Sequence, residues 1–140
     1  MDLLYTLLNA SVIPAWILIA FFPRSKFTNK LVYSYAWHIV LSIFYLVYIV
    51  WGSIENFGGE GGMHSLEALR IGFENDKVLL AAWAHYLIFD LFVGVWIMKD
   101  AQSKNIDSWL LKPILFFTLM LGPVGFLFYQ VLKKIKAKSE

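Results

Sequence analysis

VLLAAWAHYLIFDLFVGVWIM, residues Val78–Met98, is long enough to cross a bilayer yet holds a histidine and an aspartate near its middle. A helix of this length spans roughly 30 Å, the thickness of a hydrocarbon core. Its centre falls at Ile88, so His85 and Asp90 both lie within about 5 Å of the midplane. An aspartate at that depth is disfavoured by roughly 3 kcal/mol. It needs a compensating contact and is a candidate functional residue.

Three further runs have spanning length: Leu3–Phe22, Leu31–Trp51 and Pro113–Leu132. The 140 residues are 59% hydrophobic and 16% charged, with a mean hydropathy of +0.63, which excludes an ordinary soluble domain. The expectation is an all-α membrane protein. It forms a four transmembrane helix bundle occupying residues 1–140 as a single domain, with spans of about 3–22, 31–51, 78–98 and 113–132. The first run is too long for a signal-peptide core and lacks a basic leader, so it reads as a permanent helix. Without cysteine there is no disulfide, thiolate metal site or thiol nucleophile.

With four crossings, the cations divide evenly. Arg24, Lys26, Lys30, Lys99, Lys104 and Lys112 fall on one side, and Arg70, Lys77, Lys133, Lys134, Lys136 and Lys138 on the other. Six against six gives no orientation under the positive-inside rule. The Lys-rich tail reads as a stop and a headgroup anchor, and no nucleic-acid partner is expected.

Between the spans, Pro23 closes the first and RSKFTNK forms a polar turn. NFGGEGG lacks the GK[ST] ending of a phosphate cradle and reads as a flexible turn. Met63, Leu66, Leu69, Arg70 and Phe73 recur at helical spacing, which predicts a short interfacial helix over Met63–Phe73. Asn75 or Asp76 caps the third span. Asp100–Lys112 reads as a polar hairpin, with Pro113 opening the fourth helix.

At 100° per residue each span shows a non-aliphatic stripe. In the third, Leu87, Ile88, Leu91, Val95 and Met98 form the half expected to face lipid. The other half carries Trp83, His85, Tyr86, Phe89, Asp90, Gly94 and Trp96, with His85 and Asp90 about 140° apart and flanking it. Ser34, His38, Ser42 and Tyr45 form the stripe of the second span. Tyr5, Thr6, Asn9, Ile13 and Trp16 form that of the first, and Thr118, Gly122, Gly125 and Tyr129 that of the fourth. Small residues permit close helix approach, so Gly122 and Gly125 are expected against another helix backbone. Asn9, Ser34, Ser42 and Thr118 are equally well read as interhelical hydrogen-bonders. His38, His85 and Asp90 are acceptable metal ligands, but they lack the HExxH or Glu-x-x-His spacing that puts ligands on one helical face, and no metal is expected. Mid-depth rings at Trp37, Phe44, Trp83 and Phe89 suit a long planar or polyene ligand.

FPRSKFTNK (22–30), ENDKVLLAAWAHYLIFDLFVGVWIMKDA (74–101) and LFFTLMLGPVGFLFY (115–129) resemble the neoxanthin-synthase-like membrane family, related to the plant abscisic-acid-deficiency protein. The most specific parts are W-x-H-x4-D-L-F, here Trp83, His85, Asp90, Leu91 and Phe92 with Asp100 following, and G-P-x-G, here Gly122, Pro123 and Gly125. His38 lies outside that pattern. The resemblance implies a carotenoid, since plant members are tied to converting the epoxide violaxanthin into allenic neoxanthin on the route to abscisic acid. No plastid transit segment precedes the first run, which points to a bacterial-type member in a bacterial inner membrane.

Two readings follow. In the first, the chain is a carotenoid-modifying isomerase of a xanthophyll epoxide or similar end group. Opening an epoxide to an allenic alcohol delivers a proton to oxygen and removes one from the neighbouring polyene carbon. There is no net redox change, so no cofactor is expected. A carboxyl kept from water favours its protonated form, which makes Asp90 the acid and His85 the base. Trp83, Tyr86, Phe89, His38, Tyr45 and Asn9 would bind the substrate. In the second, the chain binds a carotenoid or other isoprenoid, or a partner membrane protein, without chemistry. A proton pathway through the same pair has little room without homo-oligomerisation.

Overall fold

In the computed structural model, residues 1–137 are described and all regular structure among them is helical. α1 runs Asp2–Phe21 through Pro14, and Phe22 and Pro23 follow it. A π-helical turn, Thr28–Tyr33, then reverses the chain. Buried Thr28 pins this turn, its hydroxyl donating to the Phe22 carbonyl at 2.6 Å. α2, Ala36–Glu55, starts from Tyr35 at φ 63°, a left-handed conformation that separates it from the turn. The short helix expected at 63–73 is α3, Leu66–Phe73, with the Ser65 side chain accepting from the Ala68 N–H. Asn75 caps α4, Asp76–Ser103, by accepting from the N–H groups of Lys77 and Val78.

Among the described residues, α1, α2 and α4 are the helices long and apolar enough to cross a membrane. The run expected as a fourth span is not one helix. It divides at Leu121 into α5, Ser108–Met120, and α6, Gly122–Ala137. Gly-Pro is the physical reason. In a continuous helix Pro123 would offer no N–H to the Leu119 carbonyl and its ring would crowd it, whereas Pro123 fits without strain in the first turn of a new helix. Asp107 rather than Pro113 begins α5, its carboxylate accepting from the Trp109 N–H. At about 1.5 Å per residue, the 13 residues of α5 reach only about 20 Å.

α5 and α6 fold back on each other. The Phe117 and Phe128 rings lie 5.1 Å apart, whereas in a straight helix eleven residues separate them by about 16 Å. Gly125 packs on the α5 backbone, where an added Cβ would fall 2.5 Å from the Thr118 nitrogen. The hairpin lies along α4: the Tyr86 hydroxyl donates to the Met120 carbonyl at 2.6 Å, and the Tyr129 hydroxyl donates to Asp100 at 2.7 Å. Lys133 also reaches Asp100, at 3.3 Å. Tyr129→Phe removes one hydrogen bond to a charged acceptor. A loss of about 1.5–3 kcal/mol is expected in reversible unfolding in detergent; unchanged stability would count against this tie.

α4 is the central helix, touched by α1, α2, α5 and α6. That reverses part of the expected lipid face. Leu87, Ile88, Leu91, Val95 and Met98 are buried, while Phe89 and Phe92 are 55% and 45% exposed. A wheel drawn for a helix with one covered side misassigns a helix with neighbours on several sides. The α2 stripe also breaks up: Ser34 lies before the helix and Ser42 is exposed, leaving His38 buried. In α1, Trp16 is buried and its ring covers Gly94 of α4. Tyr5, Thr6 and Ile13 on the same stripe are exposed.

Candidate functional site

Asp90 is the fifteenth of the 28 residues of α4 and is 6% exposed. It faces the turn of the α5–α6 hairpin. A Cβ built on Gly122 would lie 1.9 Å from its Oδ1, so glycine is the residue that lets the turn come this close. The Tyr86 hydroxyl and the Gly122 backbone N–H lie beside the carboxylate. Oδ2 is buried without a hydrogen-bond partner among the described residues. A helix start offers unpaired N–H groups, one of which gives a carboxyl held away from water a partner.

Tyr86 extends this group towards α1. Its ring stacks on Trp83 at 5.1 Å, and the Trp83 indole N–H donates to Asn9 Oδ1 at 3.1 Å. The Asn9 amide donates in turn to the Tyr5 carbonyl. Asn9, Trp83, Tyr86 and Asp90 therefore form one continuous set between α1, α4 and the hairpin. Tyr86 spends its own proton on Met120, so its oxygen can face Asp90 only as an acceptor.

His85 belongs to a second set. It is exposed, 5.8 Å from the Tyr45 ring of α2 and 4.6 Å from Phe89. The row continues through Phe92 to Tyr35 and ends under the Lys99 ammonium, 4.7 Å from the Tyr35 ring. His38 sits against Tyr35 and Phe92, 7% exposed, with neither ring nitrogen hydrogen-bonded among the described residues. The predicted site residues thus divide between two surfaces of α4, and His85 and Asp90 are not brought together. Trp37, one of the expected mid-depth rings, donates its indole N–H to the Ser11 carbonyl and ties α2 to α1.

The sequence reading missed Gly122 as the neighbour of Asp90, Tyr35 and Phe92 as members of the aromatic row, and Asp100 as the anchor of α6. Only the last had a signal, because Asp100 follows the W-x-H-x4-D-L-F motif. The Leu91 backbone is the polar group nearest the imidazole, and it makes no well-aligned hydrogen bond to either ring nitrogen among the described residues, so His38→Leu is expected to melt in detergent at an unchanged or slightly higher temperature. A marked loss of stability would mean that the imidazole holds the α2–α4 interface.

The fold and these two surfaces define an integral membrane protein of apolar helices, with a buried carboxylate at the middle of its central helix. A family model described as ABA DEFICIENT 4-like matches residues 3–129, and the chain belongs to that neoxanthin-synthase-related family. No curated protein and no solved structure matches the chain.

Proposed function

We propose that this chain is a carotenoid-modifying membrane protein that isomerises a xanthophyll epoxide or similar end group, with Asp90 as proton donor. The family supports a membrane protein of the carotenoid and abscisic-acid route. The observation that carries the chemical reading is the buried Asp90 oxygen left without a partner beside Tyr86 and the hairpin turn. In this reading the whole chain acts as one membrane domain and the α5–α6 hairpin replaces the expected fourth crossing. The ring end of the substrate enters between α1 and the hairpin, where Asn9, Trp83 and Tyr86 surround the approach to Asp90. Carboxyl-to-epoxide proton transfer opens the C–O bond, and the polyene carbon beside it gives up a proton.

His85, expected as the base, stands with Tyr45 and Phe89 on a different surface of α4 from Asp90 and does not reach the carbon beside an epoxide held at Asp90. The Asp90 carboxylate left by the first transfer is the proposed acceptor of that carbon's proton. His85→Gln tests this separately. Full activity with the fold retained supports Asp90 acting in both steps, and loss of product returns the base role to His85.

The non-catalytic alternative rests on the same polyene-like row: the chain binds a carotenoid and leaves it unchanged. Incubating the purified protein with a xanthophyll epoxide and weighing the recovered pigment separates the two. A product of unchanged mass and altered absorption supports isomerisation. Bound but unaltered epoxide supports a carrier.

A further inference from the structure

The return of α6 along α4 moves charges as well as helices. Lys133 pairs with Asp100 near the end of α4, so Lys133, Lys134 and Lys136 stand at the end of the molecule that holds Arg24, Lys99 and Lys112. Other contacts fix the same end: Lys99 donates to the Tyr33 carbonyl, Gln102 to the Pro23 carbonyl, and Lys112 lies over the Phe21 ring. With Lys26, Lys30 and Lys104, nine of the eleven described Lys and Arg residues gather there, against the carboxylates Asp100 and Asp107. The opposite end keeps Arg70 and Lys77 among Asp2, Glu55, Glu60, Glu67, Glu74 and Asp76. An even division of cations becomes nine against two.

We infer that α5 and α6 form a re-entrant hairpin that enters and leaves the membrane by one face, and that the basic end so created docks on anionic phospholipid headgroups. Two helices too short to cross, joined by a turn at the middle of α4, reach half-depth and return. Irregular backbone at that depth is tolerated where protein satisfies it, and here Asp90 lies against Gly122 while Tyr86 donates to the Met120 carbonyl. The basic excess is the signature of a cytoplasmic face, whose leaflet carries the anionic lipids. A cavity of about 600 Å³ opens at this end, lined by Arg24, Gln102 and Lys112, and neither cation there forms an ion pair among the described residues. Asp107 also lines it but is engaged as the α5 cap. None of this depends on the carotenoid reading.

The chain has no cysteine, so single cysteines report topology cleanly. With a membrane-impermeant maleimide, Ser103→Cys and Lys136→Cys should label from one side of oriented vesicles and Glu60→Cys from the other. Labelling of Lys136→Cys together with Glu60→Cys overturns the hairpin. For the lipid, the protein should melt at a higher temperature in phosphatidylglycerol nanodiscs than in phosphatidylcholine ones. The difference should shrink in high salt and in the Lys134→Gln, Lys136→Gln double variant, since both side chains are exposed and form no ion pair among the described residues. Equal melting in the two lipids overturns the docking face.

Discussion

Replacing Asp90 with asparagine is expected to leave the helices in place while product formation falls by about 10²- to 10⁴-fold, the contribution of a positioned general acid. Asparagine has nearly the volume of the carboxyl, so the close approach of Gly122 is preserved. Its amide oxygen can still face the Gly122 N–H and its NH₂ can face the Tyr86 oxygen. What it lacks is a proton to give to an opening epoxide. Retained helicity and melting with lost turnover is the expected combination, read by circular dichroism and by pigment chromatography on the same preparation. Full turnover by the folded variant would make Asp90 a structural cap of the hairpin. A variant that does not accumulate points the same way, and Asp90→Glu then gives the second reading: a longer acid that restores turnover in a folded protein supports proton donation.

The largest stability effect is expected at Gly125. A Cβ there would fall 2.0 Å from Thr118 Oγ1 and 2.5 and 2.6 Å from the Thr118 nitrogen and Cα. Backbone cannot rotate aside as a side chain can, so Gly125→Leu must separate α5 from α6. Overpacking typically destabilises by about 1–3 kcal/mol and more where nothing yields. At Gly125 the loss should reach or exceed the upper figure, accompanied by separation of the Phe117 and Phe128 rings. Gly72→Ala is the control, because the nearest atom to its added Cβ is 3.7 Å away, and it should melt with the native protein. Equal melting of the Gly125 and Gly72 variants would contradict the close hairpin.

Much of the architecture was legible because membrane solvation imposes length and composition. The three spanning helices lie close to the apolar runs, and Asn75, one of the two residues expected to cap the third span, caps α4. Gly122–Pro123 is also visible in the sequence, but close packing within one continuous span explains it equally well there. Whether such a step bends or reverses a chain depends on partners elsewhere, here Asp90, Tyr86 and Asp100 of α4, which no local window contains. The orientation of α4 failed for a related reason. Its aliphatic residues face protein because four helices surround it, and the exposed Phe89 and Phe92 are as compatible with lipid as leucine is. Asp90 was found by the expense of a mid-depth carboxylate. Its separation from His85 depends on which neighbour each meets, and their 140° offset on the wheel already allowed different ones.

The surroundings of Asp90, and with them the proposed chemistry and the basic docking end, depend on α5 and α6 folding back. The most direct measurement is a cross-link between Phe117→Cys and Phe128→Cys, the one cysteine pair in an otherwise cysteine-free chain, using a short bis-thiosulfonate bridge in the native membrane. With the two rings 5.1 Å apart, rapid intramolecular bridging is predicted. Free thiols persisting at both positions in the folded protein, as in a straight helix with these residues about 16 Å apart, would contradict it.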